Sequence, residues 1–79
     1  MTIDEMSPVP FYVQLADILA AQIADGTLKP RTPIPSEAHL QQTYGVSRGT
    51  VRAAVKLMRE RGQVLTFPGR GTWVAEKQP

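Results

Sequence analysis

Apolar residues recur at Phe11, Leu15, Ile18, Leu19 and Ile23. Steps of three and four place them on one face of an amphipathic helix. Pro8 and Pro10 stiffen the entry, and Gly26 after Asp25 suits the positive φ that closes such a helix. Gln22 falls inside the stripe, so one edge of it should be wet. Pro30, Pro33 and Pro35 make residues 27–35 a stiff loop that cannot be helical. Ser36 can then cap a second helix, with Glu37 in its first turn where the helix dipole favours a carboxylate. Gly45 keeps that helix short, and Leu40 and Tyr44, four apart, should face the core. Gly45-Val46-Ser47 reads as a tight turn. Ser47 caps a third helix that runs to Arg61 and stops at Gly62, with Val51, Ala54, Val55 and Met58 as its buried stripe. Beyond Gly62 the period changes. Val64-Leu65-Thr66-Phe67 and Thr72-Trp73-Val74-Ala75 are rich in β-formers, and Pro68-Gly69-Arg70-Gly71 separates them as the turn of a hairpin.

The expected fold is therefore mainly α with one small β-hairpin: three helices and a two-stranded wing, a winged helix-turn-helix. Residues 8–75 form the domain, 1–7 a flexible leader and 76–79 a tail. With 79 residues the chain holds one domain with a modest core, because a domain this small buries only about 60% of its unfolded surface. A deep catalytic pocket is not expected. Cysteine is absent, which removes disulfides, thiolate metal sites and cysteine nucleophiles and suits a reducing compartment. His39 is the single histidine and cannot build a metal site alone. It reads as a surface residue or a phosphate neighbour. The serines have capping or turn roles, so neither an enzyme nor a cofactor is expected. No apolar run approaches the ~18 residues of a membrane span, and Asp4 and Glu5 stand where a signal peptide carries cations. A cytoplasmic location is the expectation.

Charge sharpens the picture. Residues 1–47 hold Lys29 and Arg31 against Asp4, Glu5, Asp17, Asp25 and Glu37, a balance of −3. Residues 48–79 hold Arg48, Arg52, Lys56, Arg59, Arg61, Arg70 and Lys77 against Glu60 and Glu76, a balance of +5. One basic half is the footprint of a polyanion binder, although many domains carry such a face with no partner. The second and third helices, joined by a short glycine turn, have the helix-turn-helix form. Such a pair offers the start of its second helix to base edges in a major groove. The residues there are Ser47, Arg48, Gly49, Thr50 and Arg52, with Lys56 and Arg59 further along. An N-capped helix start attracts phosphate, and arginine can hold guanine O6 and N7 together. A solvated helix face is the plain alternative for these arginines. The turn, the charge asymmetry and the hairpin together favour double-stranded DNA. At the hairpin tip, Gly69 and Gly71 permit close backbone approach and Arg70 could reach a phosphate or a narrow minor groove. An ordinary turn with a surface arginine explains the tip as well. Trp73 is expected to pack against the domain body in preference to stacking on a base.

Several motifs stand in one order: Phe11-Tyr12-Val13-Gln14-Leu15, Ile23-Ala24-Asp25-Gly26, Pro35-Ser36-Glu37, Tyr44-Gly45-Val46-Ser47-Arg48, Thr50-Val51-Arg52 and Pro68-Gly69-Arg70-Gly71-Thr72. With them the chain resembles, over residues 8–75, the DNA-binding domain of the GntR family of bacterial regulators. The entry Pro10-Phe11-Tyr12-Val13-Gln14 resembles the HutC-like and YtrA-like branches. The resemblance implies a winged helix-turn-helix that reads inverted repeats as a homodimer and regulates transcription, as a repressor by expectation. It implies Arg48, Thr50 and Arg52 as recognition-helix contacts, Gly69 and Arg70 as wing contacts, and Ser36 as a cap near phosphate. Two positions depart from the family pattern. Ala38 replaces a frequent arginine, implying lower affinity or a shifted preference, and Gly49 replaces a frequent threonine. Relatives usually continue into an effector-binding domain, which this chain does not carry; it reads as a fragment or a natural short member. Two other readings stand beside the first. One is a protein-interaction module that modulates a full-length regulator. The other is the head of a larger effector-sensing protein, some relatives of which carry an aminotransferase-like domain.

Overall fold

The computed structural model describes residues 2–76. The elements follow as α1 (Phe11–Ala24), α2 (Glu37–Tyr44), α3 (Arg48–Glu60), β1 (Val64–Phe67) and β2 (Gly71–Val74). This is the winged helix-turn-helix expected of the sequence. The expected tail falls partly outside the described residues.

Pro10 stands at the N-cap of α1, and its carbonyl accepts from the Val13 and Gln14 N–H groups at 3.1 Å each. Proline has no side-chain cap to give, and Gln14 supplies anchoring instead. Its Oε1 accepts from the Asp4 N–H (2.7 Å), and its Nε2 donates to the carbonyls of Asp4 (3.0 Å) and Val9 (2.8 Å). Residues 4–7 of the leader, with Pro8 and Val9, are thus folded back on the first turns of α1, and Ile3 packs against the core. α1 buries Leu15, Ala16, Ile18 and Leu19. The periodic stripe overreaches at its first residue: Phe11 is 40% exposed.

Both shorter helices are capped as their serines predict. Ser36 Oγ accepts from the His39 N–H (3.1 Å), and Ser47 Oγ from the Thr50 N–H (3.1 Å). Gly45 closes α2 in the left-handed region, φ 66°, where a Cβ would be strained. Leu40, Val51, Ala54, Met58 and Val64 join Leu15, Ala16 and Leu19 in one buried cluster, with Tyr44 and Val55 packed against it. Burial of these side chains supplies the main driving force for docking α3 on α1 and α2.

The wing pairs antiparallel in the register Val64↔Val74, Leu65↔Trp73, Thr66↔Thr72 and Phe67↔Gly71. Val64 and Val74 are buried, so the alternate residues Leu65, Phe67 and Trp73 share the outer face. The Phe67 carbonyl accepts from the Arg70 N–H at 3.0 Å, closing a turn with Pro68 second and Gly69 (φ 75°) third. That is the residue pattern of a type II turn.

One feature of the sheet departs from the sequence expectation. The proline-rich stretch is not only a loop, because residues 31–34 pair with the far edge of β2. The Arg31 N–H donates to Val74 O (3.0 Å), the Val74 N–H to Thr32 O (2.8 Å) and the Ile34 N–H to Thr72 O (3.0 Å). Pro33 bridges Trp73, and its missing N–H faces away from β2, where no ladder bond is needed. β2 is thus hydrogen-bonded along both edges. Trp73 lies half-buried on the outer face, away from the core cluster, and not against the domain body as the sequence reading expects.

Candidate nucleic-acid interface

α2 and α3 are joined by Gly45-Val46-Ser47, so the first turn of α3 stands at a corner of the molecule. Its backbone is set by Ser47, whose Oγ also meets Thr50 Oγ1 at 3.0 Å. Arg48, Gly49 and Arg52 are exposed there, and Thr50 is half-buried. Arg48, Arg52, Lys56 and Arg59 are all exposed along α3. At ~100° per residue these four lie on one side of α3, about a quarter turn from Val51, Ala54, Val55 and Met58.

The structure adds a residue that sequence reasoning placed only at a helix dipole. Glu37, the first residue of α2, reaches across to α3. Its Oε2 accepts from Arg52 Nε at 2.9 Å and its Oε1 from Arg48 Nε at 3.3 Å. The hydrogen bond from Arg52 does most to hold the Glu37 carboxyl below its ordinary pKa, and Arg48 adds to it. The three side chains remain 41–66% exposed, so the pairing is a surface one. The sequence signal for it was the Pro-Ser-Glu motif, which fixes a carboxylate at the start of α2.

Beside this group runs an open cleft between α2, α3 and the wing. Ser36, Glu37, Arg52, Arg59, Arg70 and Thr72 line it, over apolar Ile34, Leu40, Val51 and Val55. Arg70 enters from the wing tip. Its backbone is held twice, by the turn and by Trp73 Nε1, which donates to the Arg70 carbonyl at 3.0 Å. Gly69 lies beside it, exposed, at the outer corner of the turn. Arg59 is placed differently from its neighbours: its Nη1 donates to Thr66 Oγ1 at 3.1 Å, and Thr66 Oγ1 meets Thr72 Oγ1 at 3.1 Å. It is tied to the wing. Arg61 lies off this face, paired with Asp17 of α1 at 2.9 Å. Of the sequence candidates, Ser36, Arg52, Arg59 and Arg70 share the cleft; Ser47, Arg48, Gly49, Thr50 and Lys56 belong to α3 and its cap and do not line it. His39 and Ala38 are exposed on α2.

A family model described as bacterial regulatory proteins, gntR family, matches residues 11–74. The chain belongs to this gntR family. Among curated relatives, the HTH-type transcriptional repressor NagR of Bacillus subtilis is 40% identical over 76 residues, covering 96% of this chain and 31% of the repressor. The chain thus spans about a third of the length of such gntR relatives. YtrA from Sulfolobus acidocaldarius, a GntR-family transcription factor, has a TM-score of 0.89 at 32% identity, covering 98% of this chain and 81% of YtrA. The AraR DNA-binding domain, solved in complex with operator ORX1, has a TM-score of 0.83 at 32% identity over 95% of this chain and 93% of that domain. No helix among the described residues is long and apolar enough to cross a membrane.

Proposed function

We propose that this gntR-family chain is the operator-reading domain of a transcriptional repressor. It binds double-stranded DNA with the first turn of α3 in the major groove and the wing against the adjacent backbone. The observation that carries this reading is the capped, exposed start of α3, which offers Arg48, Thr50 and Arg52 at one corner with Arg70 beside them across the cleft. Arginine terminal nitrogens suit guanine O6 and N7, and Thr50 suits a base edge or a thymine methyl. Ser36 and Ser47 leave helix-start N–H groups for phosphate, and Lys56, Gly69 and Arg70 lie where a backbone would pass. Residues 8–75 are the functional unit, it acts by binding and not by catalysis, and it works in the cytoplasm. Two copies on an inverted repeat gain affinity by tethering their half-sites. The resemblance to NagR, a repressor, and to the operator-bound AraR domain supports the same reading.

The test is selection from a random duplex pool at low salt, with the bound fraction sequenced. An enriched inverted repeat is the expected result, and its half-site spacing reports the dimer geometry. A single enriched half-site would leave DNA reading intact and remove the dimer. Retention without any sequence enrichment would sink the operator-reading assignment.

A further inference from the structure

A carboxylate is an unexpected group to find between two arginines on a face that meets DNA. Glu37 repels phosphate and so lowers general affinity. As an exposed ion pair it adds little stability. Its geometry gives it another use. Arg48 and Arg52 both donate to Glu37 through Nε. Among the described residues, neither arginine gives a terminal nitrogen to any hydrogen bond. One carboxylate therefore holds the inner edges of two guanidinium groups and leaves both Nη pairs to project.

We propose that Glu37 is a specificity-determining positioning residue. It clamps Arg48 and Arg52 so that their Nη pairs meet base edges, and its charge disfavours binding through phosphate alone. The proposal rests on the DNA-reading role above. An arginine released from Glu37 can swing to the nearest phosphate, and such a contact carries no sequence information. The clamp thus exchanges general affinity for discrimination. Its position follows from the fold: Ser36 caps α2, and the glycine turn sets the angle that brings the first residue of α2 against the first and fifth of α3.

The experiment compares two duplexes: the sequence selected by the unmodified chain, and a scrambled one of equal length and composition. Glu37→Gln is expected to bind the scrambled duplex about twofold tighter or better, with a steeper salt dependence. Its preference for the selected duplex should fall about tenfold, the discrimination of one good arginine–guanine pair. Glu37→Asp keeps the charge but is one methylene short of spanning both arginines. It should lose preference without gaining affinity for the scrambled duplex. Preference within about twofold of the parent in Glu37→Gln would overturn the proposal, as would equal weakening on both duplexes. Thermal melts establish that each variant folds; if Glu37→Gln does not, an unchanged preference in Glu37→Asp overturns the proposal by itself. An unmodified chain with no preference at all would instead remove the DNA-reading role from under it.

Discussion

Gly49 is the second residue of α3, between the two arginines that Glu37 holds. Nothing in the fold demands a glycine there. Its backbone is helical, and an added Cβ would meet only Ser47 Oγ, at an ordinary 3.9 Å. Gly45 is the contrast, since its φ of 66° makes any side chain strained. Glycine inside a helix costs about 0.8–1.0 kcal/mol relative to alanine, and less near a terminus. Gly49→Ala should therefore raise the urea midpoint with the slope unchanged, a gain of up to about 0.8 kcal/mol. If the bare backbone serves close approach to a base edge, the same variant should lose affinity for its selected duplex. A stabilised variant with undiminished affinity would remove Gly49 from the interface. At this scale the sequence was most legible where the chemistry is local. Ser36 and Ser47 cap the helices assigned to them because a cap is written within four residues. Glu37 was only half legible. Its place at the start of α2 followed from the motif, but its partners lie across the turn, and only the angle between two helices brings them near.

The elements show the same division. Periodicity located α1 and α3, which have buried stripes at helical spacing; the Ser36 cap and Gly45 located α2, which fully buries only Leu40, and the Pro68-Gly69 turn located the wing. Residues 31–34 escaped notice because three prolines argue against a central strand. They pair only at an outer edge, with partners some forty residues away. This pairing matters because it holds one edge of β2 while Arg59 ties the wing to α3. Arg59, Thr66 and Thr72 form a hydrogen-bonded strut from the last turn of α3 to both wing strands. The sequence placed Arg59 only further along the third helix, beside Lys56. If the strut governs, Thr66→Val should cost no more than about 1 kcal/mol of stability, since the bonds are exposed. It should weaken binding by misplacing Arg70, and Arg59→Ala should then cost less in the Thr66→Val background than alone. A double-mutant cycle on duplex affinity measures this coupling. Strictly additive losses would make Arg59 an independent contact and remove the strut.

Over the whole molecule, the basic second half of the chain becomes a spatial face only in part. Arg48, Arg52, Lys56, Arg59 and Arg70 lie on α3 and the wing, but Arg61 is turned toward α1 and held by Asp17. Glu37 offsets part of the charge of Arg48 and Arg52. Lys56 has no carboxylate within ion-pair distance among the described residues, so it presents its whole charge. A chain-wide charge count would treat Lys56 and Arg61 alike; the fold does not. Counterion release makes the difference measurable. The logarithm of affinity falls with the logarithm of salt by about 0.9 for each phosphate neutralised. Lys56→Ala should therefore lower the slope by about one on selected and scrambled duplexes alike, with the preference between them unchanged. Arg61→Ala removes the same charge from the sequence but not from the interface. It should leave the slope where it was and cost only the small stability of an exposed ion pair, at most about 1 kcal/mol. Titrating affinity against salt for both variants decides whether the interface is this face or the net charge of the domain. Equal changes in slope would mean that DNA responds to the overall charge, and the placement of the backbone along α3 and the wing would then have to be abandoned.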